Sequence, residues 1–413
     1  MNEMMRSHAQ RIIDASIAAV LPDEAVRRAM TQIPPAKGKT ILVAAGKAAW
    51  QMAQAAAGCI DKLDGGIVIT KYDHVMGPIP GVDCYEAAHP VPDENGFKAT
   101  AKAIELVSGL SAEDRVLFLL SGGGSALFEQ PLIPGEELQD ITSQLLACGA
   151  DILQINTIRK RLSGVKGGRF AQCCAPAHVY AVVLSDVLGD PLDMIASGPA
   201  CPDSTTCADA LAIAQQYDLR LSDQAKELLG RETPKQLDNV STQITGSVRQ
   251  LCSAARTVCE ELGYKTVMLT DQLSCEAREA GSFLGTILRT HGDSGENLAF
   301  LAGGETVVHL VGKGLGGRNQ ELALGAASAI RGMENAAVFS VGSDGTDGPT
   351  DAAGGYVDGD TVDALKAAGL DIHQILANND AYHGLKAVDG LIITGPTGTN
   401  VNDVAVALIR GRE

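Results

Sequence analysis

The chain has 413 residues, a formal net charge of −17, 45% hydrophobic residues, only 4% aromatics and 46 glycines. That acidity, with no Lys/Arg-rich run to offset it, argues against a nucleic-acid backbone or an anionic membrane as partner. No apolar run reaches bilayer length, and the opening MNEMMRSHAQRIIDASIAAVL lacks the basic region and unbroken apolar run of a signal peptide, so a cytoplasmic protein is expected.

The predicted elements alternate. The apolar run 41–45 leads into Gly46-Lys47 and a helical pattern over 48–59. The run 116–120 enters Ser121-Gly122-Gly123-Gly124-Ser125, and a helix is expected over 136–148. The run 180–184 ends on Ser185-Asp186, with helical spacing over 208–217 and again over 248–262. The run 298–302 leads to Gly303-Gly304-Glu305-Thr306 and a helix over 320–330. Runs 337–341 and 391–394 end on GSDGTDG and GPTGTN. Unbroken apolar runs suit strands buried on both faces, as in parallel sheets, and their alternation with amphipathic helices makes the fold class α/β.

Length favours two domains. The polar, breaker-containing interval 231–239 is the expected connection, giving domains 1–237 and 238–413, with the first helix free to pack on either. The ten cysteines form no C-x-x-C pair and read as reduced thiols rather than a disulfide framework or metal cluster.

Ligands of open α/β sheets bind beyond the carboxyl ends of strands, so the small polar strand ends are the candidate site. SGGGS there lets backbone N–H groups approach an anion, although a tight turn needing positive φ explains one such loop equally well. Lys47 stands at a helix start, where a cation is disfavoured by the dipole unless an anion shares the site. Arg318 follows the glycines of 313–317, and its planar fork suits phosphate or carboxylate; pairing with Glu321 is the plain alternative. The basic stretches 156–161 and 166–169 read mostly as a solvated helix face, with one or two members turned to the site. Asp186 and Asp344 are the acids best placed to take a hydroxyl proton or hold Mg²⁺ with nucleotide phosphates, against the ordinary role of an Asx turn. His89, in a Pro-framed loop, is a further candidate. No Walker A motif, G-x-S-x-G elbow or G-x-G-x-x-G dinucleotide fingerprint is present.

The segments AAGKAA, HPVPDENG, LLSGGGSALFE, INTIRKRLSGVKGGRFA, LSDVLGDPLDMIASGPACPDSTT, AGGETVVHLVGKGLGGRNQELAL, GSDGTDGPTDAAGGYVD and GPTGTNVND run nearly end to end. Through them the chain resembles the glycerate 2-kinase family. The resemblance implies a larger N-terminal Rossmann-like three-layer sandwich with a mostly parallel sheet, a smaller C-terminal α/β domain known as MOFRL, and an active site in the cleft between them. It implies ATP-dependent phosphorylation of D-glycerate to 2-phosphoglycerate, with Mg²⁺, and matches Lys47 and Arg318 to the family's basic active-site residues. On that reading Lys47, Arg318 and Asp186 are catalytic. Ser121, Gly122, Gly123, Gly124, Ser125, Gly316 and Gly317 cradle phosphate, Asn319 joins Lys47 and Arg318 on the substrate, and Asp344 holds the metal. A hydroxypyruvate reductase and a non-catalytic nucleotide or sugar-acid sensor are the alternatives. The oligomeric state stays open.

Overall fold

Five consecutive apolar side chains can all be sheltered only if both faces of their strand are covered. The computed structural model, which describes residues 2–411, meets that demand twice, in two units: Pro22–Thr245, and the residues up to Leu21 together with those from Gly246 onward.

The first unit holds strands β1 (Thr40–Ala45), β2 (Gly65–Lys71), β3 (Val82–Ala87), β4 (Arg115–Leu120), β5 (His178–Leu184) and β6 (Val240–Gly246). Their order is β3-β2-β1-β4-β5-β6, and the pairs from β3 through β5 are parallel. All six residues of β1 and of β4 are buried. Along β1, Ile41, Val43 and Ala45 enter one core with Phe118, Phe128 and Phe170, while Leu42 and Ala44 enter another with Leu117, Leu119 and the helices Pro22–Met30 and Ala49–Ala57. Helix, sheet and helix thus form three layers, as expected. The chain leaves β1 toward β2 on one side and reaches β4 on the other, so the order reverses between these two strands. That reversal is the position at which open α/β sheets form their ligand crevice. Ala45 lies opposite Leu120, which sets Gly46-Lys47 beside Ser121–Ser125.

The second unit holds β7 (Lys265–Leu273), β8 (Leu298–Gly304), β9 (Ala336–Gly342), β10 (Gly354–Asp358), β11 (Leu391–Ile392) and β12 (Asp403–Ile409), ordered β11-β10-β9-β12-β8-β7. Here the expectation of parallel strands needs correcting. Only β7 and β8 are parallel; β12 lies antiparallel between β8 and β9, and β10 and β11 are antiparallel too. Burial on both faces explains the apolar runs without fixing direction. Because β12 opposes both neighbours, β8 and β9 end at the edge where β12 begins, and Asp403 faces Gly304 and Gly342.

The connection 231–239 is irregular, yet the strand after it completes the first sheet, so the units divide at Thr245/Gly246 rather than at 237/238. The first helix, Glu3–Ala19, packs on helix Val248–Glu261 and β9 of the second unit. Its Asn2 side chain caps Met5 N–H at 3.1 Å, and its Arg6 guanidinium donates to Leu391 O at 2.7 Å while lying over the Tyr356 ring. All ten cysteines are free thiols. No helix among the described residues is long and apolar enough to cross a membrane.

Helix Arg318–Ile330, which carries the candidate arginine, lies against helix Ala277–Thr290 at very short range. A Cβ on Gly281 would collide with the Leu322 carbonyl, and one on Gly325 with the Arg278 backbone. Gly281→Val should therefore destabilise the fold by about 1–3 kcal/mol, the usual cost of overpacking, seen as a lowered midpoint in thermal melts followed by circular dichroism. An unchanged midpoint would show that the helices separate freely.

Candidate active site

In the first unit the chain after β1 is held at every polar backbone atom. Lys47 N–H donates to Gly122 O at 2.9 Å, and Ala48 N–H donates to Ser121 Oγ at 3.1 Å. The Lys47 carbonyl accepts from Thr70 Oγ1 at 3.3 Å and lies 3.1 Å from His74 Nδ1. Lys47 itself is half-buried at the entry to helix Ala49–Ala57.

Each glycine of SGGGS answers a different neighbour. A Cβ at Gly122 would strike the Asp186 carboxylate. One at Gly123 would press on the His89 ring at 3.0 Å and on Lys47 Cε at 3.3 Å, and one at Gly124 on Ala196 Cβ at 2.9 Å. Gly123 also has φ +81°, a conformation that side chains rarely adopt. The glycines thus let Lys47, His89 and Asp186 converge on one loop. The helix that follows, Gly124–Leu127, is a single turn, so its dipole adds little. Burial first, then the charges of Lys47 and Lys71, hold the His89 imidazole below its ordinary value, so it is neutral near pH 7.

The two serines face inward. Ser121 is buried as the acceptor for Ala48, and Ser125 Oγ lies 2.9 Å from Ser197 Oγ, which donates to Asn156 Oδ1 at 2.8 Å.

The basic stretches 156–161 and 166–169 are not a solvated face. Asn156, Thr157, Lys160, Arg161 and Lys166 are buried. Lys160 pairs with Asp203 at 3.0 Å and Asp193 at 3.3 Å, and Lys166 with Glu129 at 2.9 Å. The carboxylates come from segments far away in sequence, so the pairing had no local signal. Burial, with the Arg159 charge adding to it against Glu129, lowers Lys166 to about 8. Lys166 Nζ and Arg159 Nη2 both donate to Ser125 O, at 2.8 and 2.9 Å, which puts two cations behind the glycine loop.

In the second unit Arg318 begins its helix at the edge shared by β8, β9 and β12. Its Nε and Nη2 donate to the two Asp403 oxygens at 2.5 and 3.0 Å, and Nη1 lies 3.2 Å from Glu305. Burial opposes the charged form, but the Asp403 hydrogen bonds and charge outweigh it and raise the guanidinium above its ordinary value. Glu321, the alternative partner weighed from sequence, is instead buried against Asn379 at 3.2 Å. Asn319 is turned inward, accepting from Ser340 Oγ at 2.5 Å and donating to Asp347 at 3.3 Å.

The glycine loop before Arg318 is closed by protein. The N–H groups of Val311, Gly312, Lys313, Gly314 and Leu315 donate to Asn378, Asn379 and Asp380. A Cβ on Gly317 would strike Asp347. Asp344 accepts from Thr346 N–H at 3.0 Å in an Asx turn, near the Asn319 amide across Gly342. The structure adds Glu305 and Asp403, and it gives Asp347, which the sequence ranks below Asp344 in the same loop, a larger part. All three stand in the quoted motifs beside other candidates, and Asp403, the last residue of GPTGTNVND, also opens strand β12.

Comparison with known proteins adds the family. The model described as Domain of unknown function (DUF4147) matches residues 8–230, and the MOFRL family model matches residues 298–403. The D-glycerate 2-kinase of Thermotoga maritima is 52% identical, over 98% of this chain and 99% of its own length. The chain belongs to the glycerate 2-kinase family. A glycerate 2-kinase of Pyrococcus horikoshii is 40% identical over 91% of this chain and 89% of its own. The crystal structure of the T. maritima glycerate kinase superposes with a TM-score of 0.95, covering 98% of this chain and 100% of that one.

The helix carrying Arg318 is capped by Asp347, which accepts from Asn319 N–H at 3.1 Å and Gln320 N–H at 2.9 Å. Burial, opposed by those bonds, pushes the Asp347 carboxyl up to about 6. A raised carboxyl favours folding at low pH, and that contribution is lost as pH rises through about 6. Relative to Asp347→Asn, the wild type should gain on the order of 2–3 kcal/mol as pH falls from 7 to 4. Urea unfolding of both proteins across that range measures it, and parallel curves would remove the assignment.

Proposed function

We propose that this chain phosphorylates D-glycerate with ATP to give 2-phosphoglycerate. The observation that carries the proposal is the 52% identity to a D-glycerate 2-kinase over essentially the whole of both chains. Two relatives from Agrobacterium vitis bear a provisional hydroxypyruvate reductase name, but the absence of a dinucleotide fingerprint speaks against that chemistry here.

Phosphoryl transfer asks the protein for position and charge rather than covalent chemistry. In the first unit, Asp186 takes the proton of the substrate 2-hydroxyl while that oxygen bonds to the γ-phosphorus. The bond to the β–γ bridging oxygen breaks, and its electron pair leaves on ADP. Lys47 binds the transferring phosphate or the glycerate carboxylate. Residues 121–125 approach the phosphates by backbone, with Arg159 and Lys166 behind them, their positive potential partly offset by Glu129, which pairs with both. Neutral His89 contributes a hydrogen bond rather than a charge. In the second unit Arg318, with Gly316 and Gly317 before it, meets a phosphate or carboxylate. At 4 Å a unit charge pair contributes roughly 4 kcal/mol at an effective dielectric of 20, so contacts that strengthen in the transition state matter.

A divalent ion such as Mg²⁺, when bound, would supply charge neutralisation for the nucleotide phosphates. Among the described residues no three His, Cys, Asp or Glu side chains form a metal cluster. Asp344, whose carboxylate accepts from Thr346 N–H at 3.0 Å, is the residue we assign to such an ion, with the nucleotide phosphates as its other ligands.

Two assays on the purified chain test the proposal: ADP release on adding D-glycerate and ATP, and NAD(P)H consumption on adding hydroxypyruvate. Turnover in the first and silence in the second are expected; the reverse overturns the kinase. Lys47→Ala should lower kcat/KM by on the order of 10²-fold or more with folding intact. Normal turnover in the folded variant would end the Lys47 assignment.

A further inference from the structure

Arg318 has five N–H donors, and the structure shows which are already engaged. Its side edge, Nε and one Nη2 hydrogen, grips both oxygens of Asp403 at 2.5 and 3.0 Å. At the other end of the group, Nη1 lies 3.2 Å from Glu305 Oε1 as an ion pair. The two carboxylates differ in kind. The Asp403 side chain is 8% exposed and fixed at the start of β12, in register with Gly304 of β8 and Gly342 of β9. Glu305, just past the end of β8, is 48% exposed. One contact is built into the sheet and the other is exchangeable.

We propose that Asp403 is a positioning residue for the phosphoryl transfer, clamping Arg318 by its side edge so that only the end edge meets an incoming phosphate or carboxylate, in the place Glu305 now occupies. The proposal rests on the reading of Arg318 as an anion-binding group. Its physical logic is that a guanidinium on a free arginine stem samples many rotamers, whereas one held by two parallel hydrogen bonds to a strand has a fixed plane. Misplacing a reacting group by about 1 Å can cost ~10²-fold in rate. Lysine at position 318 would keep the charge but could not be gripped at two points.

The test is a kinetic cycle on the full chain with rescue. Arg318→Ala should lower kcat/KM by on the order of 10²-fold, the loss of one preorganised charge contact. Asp403→Asn, which keeps shape and one acceptor, should lower kcat by about 10- to 10²-fold with a smaller change in KM. The double variant should be no slower than Arg318→Ala alone, because the aspartate acts only through the arginine. Guanidinium ion at sub-denaturing concentration should restore part of the Arg318→Ala rate and none of the double variant's, since Asp403 is its dock. Circular dichroism and thermal melts check that each variant is folded, and the rescue comparison is made within Arg318→Ala backgrounds if Asp403→Asn alone is unstable.

If Arg318→Ala is fully active, the anion-binding reading of Arg318 fails. If Arg318→Ala is slow but folded Asp403→Asn is not, or the two losses multiply, or guanidinium rescues both backgrounds equally, the positioning role fails while the arginine's stands.

Discussion

The side-by-side parallel pairing of β1 and β4 is the constraint on which the first unit turns. Both strands are buried on both faces, so neither can slip by a residue without moving its whole apolar set into the wrong core. Their registered ends deliver Gly46 and Ser121 to the same edge of the sheet at the reversal of strand order. Gly46, at φ +121°, has no space for a side chain against Ser121. The backbone bonds between Lys47 and Gly122 and between Ala48 and Ser121 then lock the two loops together.

Much of this was legible in the sequence because it is local. The helices at 48–59, 136–148, 208–217, 248–262 and 320–330 fall within two residues of those found, since apolar spacing reports them directly. The loops after β1, β4 and β5 were found by the abrupt change from apolar to small residues. What escaped was non-local. β12 reads as one more apolar run, and nothing in DVAVALI says that it is antiparallel or that it splits β8 from β9. The edge strand β7, half exposed, has no continuous apolar signal at all. The first helix could have covered either sheet, and its attachment is settled by Arg6 and Tyr356, 350 positions apart in the chain.

The candidate residues divide the same way. Gly122, Gly123 and Gly124 were singled out for access to a ligand, and the neighbours that require them prove to be Asp186, His89, Lys47 and Ala196 of the protein itself. The basic stretch differs from the expected solvated face because a cation's partner need not be near it in sequence. Glu129 and Asp203 turn Lys166, Lys160 and Arg161 into interior groups, where removing either member of a pair would strand a buried charge.

The arrangement around Arg318 bears on how firmly an anion is held there. Arg318 stands beside Asp403 and Glu305, with Asp347 at the start of the same helix, so acidic groups outnumber this one cation and the surroundings offer little long-range attraction. An anion would be recognised at close range, by the direction of a few N–H groups, and only once Glu305 had given way. Such a contact discriminates by geometry and releases readily, because no surplus of positive charge retains a highly anionic product. It would also respond weakly to ionic strength, unlike a site that gathers its ligand through an extended basic field.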